Sequence, residues 1–467
     1  MWVANALSHH YFLVASMKGN MSKPSYSSML KIICFYLVIQ FGTTFSQNPT
    51  CPFDYLYHFG DGVTDIGNSI HVQPKKTIPA GRPPYGRTFP GYPTGRWSDG
   101  LIDFDYTSED FGLPNIVPYL TMNTTTPESY DGVIFSVARS PVLDRKFFES
   151  RNIVIPDYAV PLKGQLAWFK KHLKTVCTSE SDCADWIGKA LVLMGDIEGN
   201  DIGYALTQGK SIEEVRKYVP EIVKAIIDAA RETINLGAKR MIIPGNGPLG
   251  CSPYILTALE TKDPTAYDEL GCLKSVNDFT IWKNSYLQNA ITDLSNEFPN
   301  VQILFGPMYD GVRILITNAS VIGPNGNKAL KSCCGIGGKY NYNPKRFCGD
   351  KGVPVCKDPN EHIFWDGLHF TQQTHWEIED MLVRPALVAL NCTPLISDEV
   401  KITRSRSYNI ANFSQGSLSK FQITQRIFVS LFFIGGSVLV CYYTRVGRYM
   451  QITLAKYYKQ SLMRKSE

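Results

Sequence analysis

Three short polar segments carry residue types that could together perform acyl-transfer chemistry. Asp366 lies three residues before His369, so its carboxylate can turn back and accept the ring N–H, which fixes the tautomer and orientation of the imidazole. Asn200, in Gly199–Asp201, comes just after an apolar run, where its amide can donate a hydrogen bond to a developing oxyanion. Taken singly, each segment is a weak indication of catalysis, because such patterns are more often surface polar residues or turns.

The third segment, Phe59–Asn68, follows the first apolar run of the mature chain. We interpret Asp61, Asp65 and Asn68 as residues that fix this loop and start the next helix, not as catalytic groups. Arg96 and Trp97, in a later loop, are expected to pack against the rest of the domain and not to contact substrate.

Alternating strands and helices must position these segments. Short apolar runs predict strands buried on both faces of a sheet, and helical spacing predicts helices over Ile212–Leu236, near Asp278–Phe298 and near Gln372–Leu390. The alternation indicates an α/β fold with a mostly parallel sheet, in which functional loops follow the carboxyl ends of the strands. The predicted strands are Leu56–Phe59, Val133–Phe135, Ala190–Met194, Met241–Ile243 and Val301–Phe305.

Together the three segments resemble the plant GDSL esterase/lipase family of the SGNH hydrolases, from about Phe53 to Cys392. The resemblance implies a flavodoxin-like three-layer α/β/α sandwich and hydrolysis of acyl esters of lipids, sugars or plant specialised metabolites. It also implies that no metal or cofactor takes part, that the partner is a small acyl ester or lipid-like molecule, and that the protein is a monomer. Further stretches typical of the plant branch are Arg82–Gly86, Pro93–Gly100, Pro244–Cys251, and Cys333–Cys334 with Tyr340–Asn343.

The chain departs from this family where the chemistry is expected. The nucleophilic serine of the family directly follows Gly-Asp in the first segment, and that position is Gly62 here, which cannot form an acyl-enzyme. Arg139 stands where a family glycine contributes its backbone N–H to the oxyanion hole, and we expect its side chain to crowd the pocket. Glu198 replaces the glycine that usually precedes Gly-Asn-Asp.

The remaining site residues are those that the resemblance assigns to oxyanion binding and to the histidine–aspartate pair: Asn200, Asp366 and His369. Thr64 and Ser69 are poor replacements for the nucleophile because they fall on the following turn and helix, and no G-x-S-x-G elbow occurs in the chain. Loss of a triad nucleophile costs on the order of 10⁶ in turnover. This magnitude favours a protein whose ester hydrolysis is lost or strongly reduced, with its fold and its ligand binding retained.

Two other functions stay open at this point. An active esterase or acyltransfer enzyme could use a water that His369 activates as general base, held in the space that the absent serine side chain leaves. Alternatively, a membrane-anchored interaction protein could use the surface of the domain and not its pocket.

The two ends of the chain indicate targeting segments. A ten-residue apolar run (32–41) behind Lys31 predicts a signal peptide over 1–46, with Met29 as a natural start that would make the first 28 residues a spurious extension. The hydrolase-like domain then covers 47–395, and 396–426 forms a stalk. Eighteen uncharged residues (427–444) predict one transmembrane helix, and the basic tail (445–467) places that end in the cytosol.

Composition and cysteine use agree with a globular domain in an oxidising compartment. The chain of 467 residues is 44% hydrophobic and 19% charged, and its net charge of +5 lies in the tail, so no basic surface for nucleic acid remains on the domain. Ten cysteines outside the two apolar segments predict up to five disulfides of open pairing, and the adjacent Cys333 and Cys334 without histidine partners argue against a zinc site. Four sequons predict glycosylation at Asn123, Asn318, Asn391 and Asn412.

Overall fold

The computed structural model describes residues 51–73, 77–113, 115–195, 197–322 and 328–393. Within these ranges no helix combines the length and the apolar character needed to cross a bilayer. The predicted signal peptide (1–46), stalk (396–426), transmembrane helix (427–444), basic tail (445–467) and sequon at Asn412 lie outside the described residues.

One six-stranded sheet organises the described chain, and all its neighbouring strands are parallel. The strand order is β2-β3-β1-β4-β5-β6, which becomes the flavodoxin-like order when the edge strand β2 is set aside. The five predicted strands are confirmed to within one or two residues at each end, whereas β2 was not predicted. The strands are β1 Tyr55–Phe59, β2 Ile116–Pro118, β3 Gly132–Ile134, β4 Ala190–Met194, β5 Arg240–Pro244 and β6 Gln302–Gly306.

Helices connect these strands. The α-helices of the described residues are α1 Ser69–Val72, α2 Asp103–Asp110, α3 Arg145–Glu149, α4 Leu162–Val176, α5 Glu180–Gly188, α6 Glu198–Thr207, α7 Ile212–Arg216, α8 Val219–Asn235, α9 Pro253–Ala258, α10 Lys274–Glu297, α11 Met308–Ile322, α12 Gln372–Ile378 and α13 Arg384–Ala389. A π-helical stretch, Glu379–Val383, joins α12 to α13.

Proline explains a break in one predicted helix and a π-helical stretch in another. The segment predicted as one helix over Ile212–Leu236 forms α7 and α8, and Pro220 lies in the first turn of α8, where its missing N–H is not needed. The segment Gln372–Leu390 is helical throughout, but Pro385 begins α13 directly after the π-helical stretch. A wider turn there accommodates the hydrogen bond that proline cannot make.

Helices cover both faces of the sheet, as predicted. Alternate residues of β1 point to opposite sides, because side chains of a strand alternate. Tyr57 and Phe59 pack in a large core that includes residues of α4, α8 and α10, whereas Leu56 packs in a second core with Phe104 of α2 and Leu387 of α13.

Five disulfides use all ten cysteines outside the predicted targeting segments. Cys51–Cys392 joins the first and last described residues of the domain, across 341 positions. The adjacent Cys333 and Cys334 take different partners, Cys356 and Cys348, so their sulfurs are not available as thiolate ligands. The other pairs are Cys177–Cys183 and Cys251–Cys272.

Candidate functional site

The loop after β1 is held by side-chain hydrogen bonds to its backbone. Gln165 of α4 accepts the N–H of Gly60 at 3.0 Å and donates to its carbonyl at 2.8 Å. The buried Asp65 carboxylate accepts the N–H groups of Asn68 at 2.7 Å and of Ala138 at 2.9 Å. The predicted structural role of Asp65 is therefore confirmed, and the loop presents residues 61 and 62 at the carboxyl end of the central strand.

Asp366 and His369 form the side-chain pair that their spacing predicts. Nδ1 of His369 lies 2.8 and 2.9 Å from the two carboxylate oxygens, and the Tyr85 hydroxyl donates to Asp366 Oδ2 at 2.6 Å. Burial acts to raise the pKa of Asp366, but His369 and the hydrogen bonds from His369 and Tyr85 outweigh it and hold this pKa below its ordinary value. With Nδ1 donating to Asp366, the neutral ring carries its lone pair on Nε2.

Gly62 lies directly against this imidazole. A Cβ atom built on Gly62 would be 2.2 Å from His369 Nε2. A serine hydroxyl in hydrogen-bond reach of that nitrogen would hold Cβ roughly 3 Å or more away, so the ring stands about 1 Å closer than a serine would allow. A water at the place of this Cβ atom would lie too close to the imidazole, and a water elsewhere beside His369 stays a prediction.

Asn200 and Asp61 form a second buried contact beside His369. The Asn200 amide nitrogen donates to Asp61 Oδ2 at 2.6 Å and to the Ser140 carbonyl at 3.0 Å. Burial raises the pKa of Asp61 to about 7, against the lowering effects of the Val63 N–H and of His369. Sequence reasoning gave Asp61 only a loop-fixing role, and nothing in the sequence indicates that this carboxylate is buried against Asn200.

Arg139 adopts a backbone conformation that favours glycine. Its φ of 67° is left-handed, a conformation that glycine adopts without strain. The guanidinium carbon lies 5.3 Å from the ring centroid of Tyr204, whose hydroxyl donates to the Arg139 carbonyl at 2.6 Å. The predicted crowding of the pocket is not found, since Arg139 is not among the residues that line the cavity. Glu198 begins α6, but its side chain lies outside the described structure.

A cavity of about 90 Å³ lies between Asn200 and His369, two of the predicted site residues. Asp61, Asn200 and His369 line it, and its apolar wall includes Met308 and Val312. The volume suits a short acyl group, since it is well below that of a site for a drug-sized ligand. A larger open groove of about 320 Å³ lies along Cys333 and Cys356, but none of the predicted catalytic or oxyanion residues lines it.

The hydroxyl groups near position 62 point elsewhere. Thr64 Oγ1 donates to Ser136 Oγ at 2.8 Å, and Ser69 Oγ accepts the Trp97 indole N–H at 3.3 Å. Their exclusion as nucleophiles is consistent with these contacts. Ser252 does line the cavity and was missed, because nothing about a serine at the start of a helix marks it in the sequence.

Arg96 and Trp97 pack inside the domain, as expected. The Arg96 Nε donates to Asp105 Oδ2 at 2.7 Å, which ties the preceding loop to α2. The Trp97 ring lies 4.9 Å from the His369 ring, so it supports the imidazole from one side.

The three sequons within the described residues are accessible. Asn123, Asn318 and Asn391 are exposed, and Asn123 Oδ1 accepts the Thr125 hydroxyl at 2.7 Å. Glycosylation itself stays a prediction.

Comparison with known proteins agrees with this geometry. The profile of the GDSL-like Lipase/Acylhydrolase family matches residues 56–380. Acetylajmalan esterase of Rauvolfia serpentina is 40% identical over 362 residues, which cover 77% of this chain and 92% of that protein. Sinapine esterase of Brassica napus is 39% identical over 355 residues, covering 75% and 90%. The sheet order, the Asp366–His369 pair and these matches agree, and the chain belongs to the GDSL-like lipase/acylhydrolase family.

Proposed function

We propose that this protein has lost, or strongly reduced, the serine-based ester hydrolysis of its family while keeping a cleft for a small acyl ester. The observation that carries the proposal is the approach of His369 Nε2 to Gly62, 2.2 Å from where a Cβ atom would lie. Gly62 carries no hydroxyl that could form an acyl-enzyme. The imidazole also lies where the side chain of a nucleophile at position 62 would begin.

The features that remain support binding of an acyl ester. The Asp366–His369 pair is hydrogen-bonded, the small cavity has an apolar wall, and Asn200 lies at its edge. Relatives with about 40% identity are named as esterases, which supports an ester as the ligand class. Recognition of this kind requires no cofactor.

Direct hydrolysis by a water activated at His369 is the second candidate. One observation favours it: Nε2 is the basic nitrogen of the neutral ring, and His369 lines the same cavity as Asp61, whose pKa is about 7. Against it, the Asn200 amide already donates to Asp61 and to the Ser140 carbonyl. An oxyanion would have to replace one of these two acceptors.

Labelling with a fluorophosphonate probe, alongside ester turnover, separates these candidates. A fluorophosphonate reacts with an activated serine but not with a water-based site. We expect neither labelling nor turnover from the purified full-length chain, and the same from Ser252→Ala. Turnover without labelling would favour the water mechanism. Labelling that Ser252→Ala removes would overturn the proposal, because another serine would then serve as nucleophile.

We also propose that the protein enters the secretory pathway. Five disulfides and three exposed sequons support an oxidising compartment. Anchoring through 427–444, and with it the interaction-protein alternative, rests on the sequence alone.

A further inference from the structure

The charge of Arg139 has no part in the function proposed above. Its side chain is partly buried, and among the described residues it forms no ion pair with a carboxylate, unlike Arg96 and Arg145. A cation removed from water without a counter-ion is costly. The position therefore calls for an explanation beyond packing.

Four tyrosines lie near the guanidinium, and so does the Asp61 carboxylate, which interacts with it electrostatically but forms no ion pair with it in the described part of the chain. The guanidinium lies over the ring of Tyr204, and Tyr158, Tyr254 and Tyr342 are close enough to interact with it electrostatically. Within the described part of the chain, the hydroxyls of these last three tyrosines have no hydrogen-bond partner, and their side chains are partly exposed. We call Arg139 with these four tyrosines the Arg139–tyrosine cluster. It combines a positive charge with three hydroxyls that have no partner among the described residues, on side chains that are partly exposed.

The Arg139–tyrosine cluster reaches the cavity through Tyr254 and adjoins the loop that follows Asp366. Tyr254 lines the cavity, and its N–H donates to the Gly367 carbonyl at 3.2 Å. Tyr342 packs against the same glycine, since a Cβ atom on Gly367 would lie 2.4 Å from its ring. Gly367 directly follows Asp366, so the cluster adjoins the loop that carries His369.

We propose that the Arg139–tyrosine cluster binds a carboxylate on the ligand, so that the cleft prefers an acyl ester with a free carboxylate to a neutral ester. This inference rests on the ligand binding proposed above. Guanidinium groups bind carboxylates with paired, charge-assisted hydrogen bonds, and tyrosine hydroxyls can complete the shell of donors. The apolar wall of the cavity accommodates the hydrocarbon part of the same molecule.

Arg151 supplies a matched control. Its guanidinium carbon lies 5.3 Å from the ring centroid of Tyr218, the same distance as Arg139 from Tyr204. Its Nη2 atom also lies 3.6 Å from Glu221 Oε1, so the charge of Arg151 is already paired. The two arginines share the tyrosine contact and differ in the counter-ion.

The test is calorimetric titration of the full-length chain with monobutyl succinate and with its neutral counterpart, butyl methyl succinate. We expect the anionic ester to bind at least tenfold more tightly, the size of effect that one hydrogen bond to a charged group gives. Arg139→Gln should bring the two affinities within twofold, Arg139→Lys should retain part of the preference, and Arg151→Gln should leave it unchanged. Both Arg139 variants keep a non-glycine residue at this φ, so the backbone strain stays the same, and chromatography checks that neither ester is hydrolysed during the titration.

Two results would overturn the inference. The first is equal binding of both esters to the unmodified chain. The second is a preference for the anionic ester that survives Arg139→Gln. Either result would contradict the carboxylate site and leave the proposed cleft intact. If neither ester binds, titration with succinate alone shows which of the two proposals fails. Succinate binding that Arg139→Gln abolishes, without binding of either ester, would support the anion site and contradict the proposed ester cleft, whereas no binding of any of the three would contradict both.

Discussion

Gly62→Ala probes the closest contact of the site with a single methyl group. The new Cβ atom would lie 2.2 Å from His369 Nε2, whereas ordinary van der Waals contact begins near 3.4 Å. Position 62 does not have a positive φ, so the backbone accepts alanine and the strain falls on the imidazole. The ring must shift by about 1 Å, and its 2.8 and 2.9 Å hydrogen-bond geometry with Asp366 cannot stay unchanged under a displacement of that size.

The expected cost follows from the disturbance of that hydrogen bond. A hydrogen bond to a charged group contributes about 1.5–3 kcal/mol, so Gly62→Ala should lower the free energy of unfolding by about 2 kcal/mol. In the His369→Ala background the methyl group meets no ring, and the same change should be neutral or stabilise by up to about 1 kcal/mol. The carboxylate of Asp366 keeps hydrogen bonds from the Tyr85 hydroxyl and the Leu368 N–H in that background.

Urea denaturation of the unmodified chain, both single variants and the double variant completes this double-mutant cycle. We expect a coupling energy of about 2–3 kcal/mol between positions 62 and 369. Gly62→Ala with no effect in the unmodified background would refute the reasoning, because the imidazole would then move freely. An equal cost in both backgrounds would also refute it, since the strain would lie elsewhere than on His369.

Two further predictions concern ionisation and cross-links. Because Asp61 has a folded-state pKa of about 7, above its ordinary 3.8, the folded state keeps a proton that the unfolded state has lost, and its stability falls as pH rises from about 4 to 7. Asp61→Asn should therefore match the unmodified chain at pH 4 and exceed its unfolding free energy at pH 8 by at most about 4 kcal/mol. A gain that does not depend on pH would contradict the assignment. Replacing Cys51 and Cys392 by serine should cost about 3.5 kcal/mol more than replacing Cys177 and Cys183, since the closed loops span 341 and 6 positions. Equal losses in denaturant midpoints would contradict this chain-entropy argument.

Local sequence patterns predicted most of the fold because they act over few residues. β4 is a continuous apolar run and was predicted at its observed bounds, whereas β2, Ile116–Pro118, is too short and ends in a proline. The break between α7 and α8 follows from Pro220, which the helical spacing around it obscured.

The site was predictable in its members but not in its geometry. Spacing alone indicated the Asp366–His369 pair, because both residues lie on one turn of chain. Three contacts depend on segments that are far apart in sequence. They are the approach of His369 to Gly62, the hydrogen bond of Asn200 to the buried Asp61, and the packing of Arg139 over Tyr204. Packing decides these contacts, and no local pattern encodes them.

Hydrolysis of 4-nitrophenyl butyrate by the purified full-length chain, measured beside His369→Ala, tests the central claim most directly. The reagent carries a reactive leaving group and a short acyl chain that matches a cavity of about 90 Å³. If hydrolysis has been lost with the serine nucleophile, the two proteins will release nitrophenolate at the same low background rate. Turnover by the unmodified chain that His369→Ala abolishes would contradict the account, because an esterase would then be working without a serine at position 62.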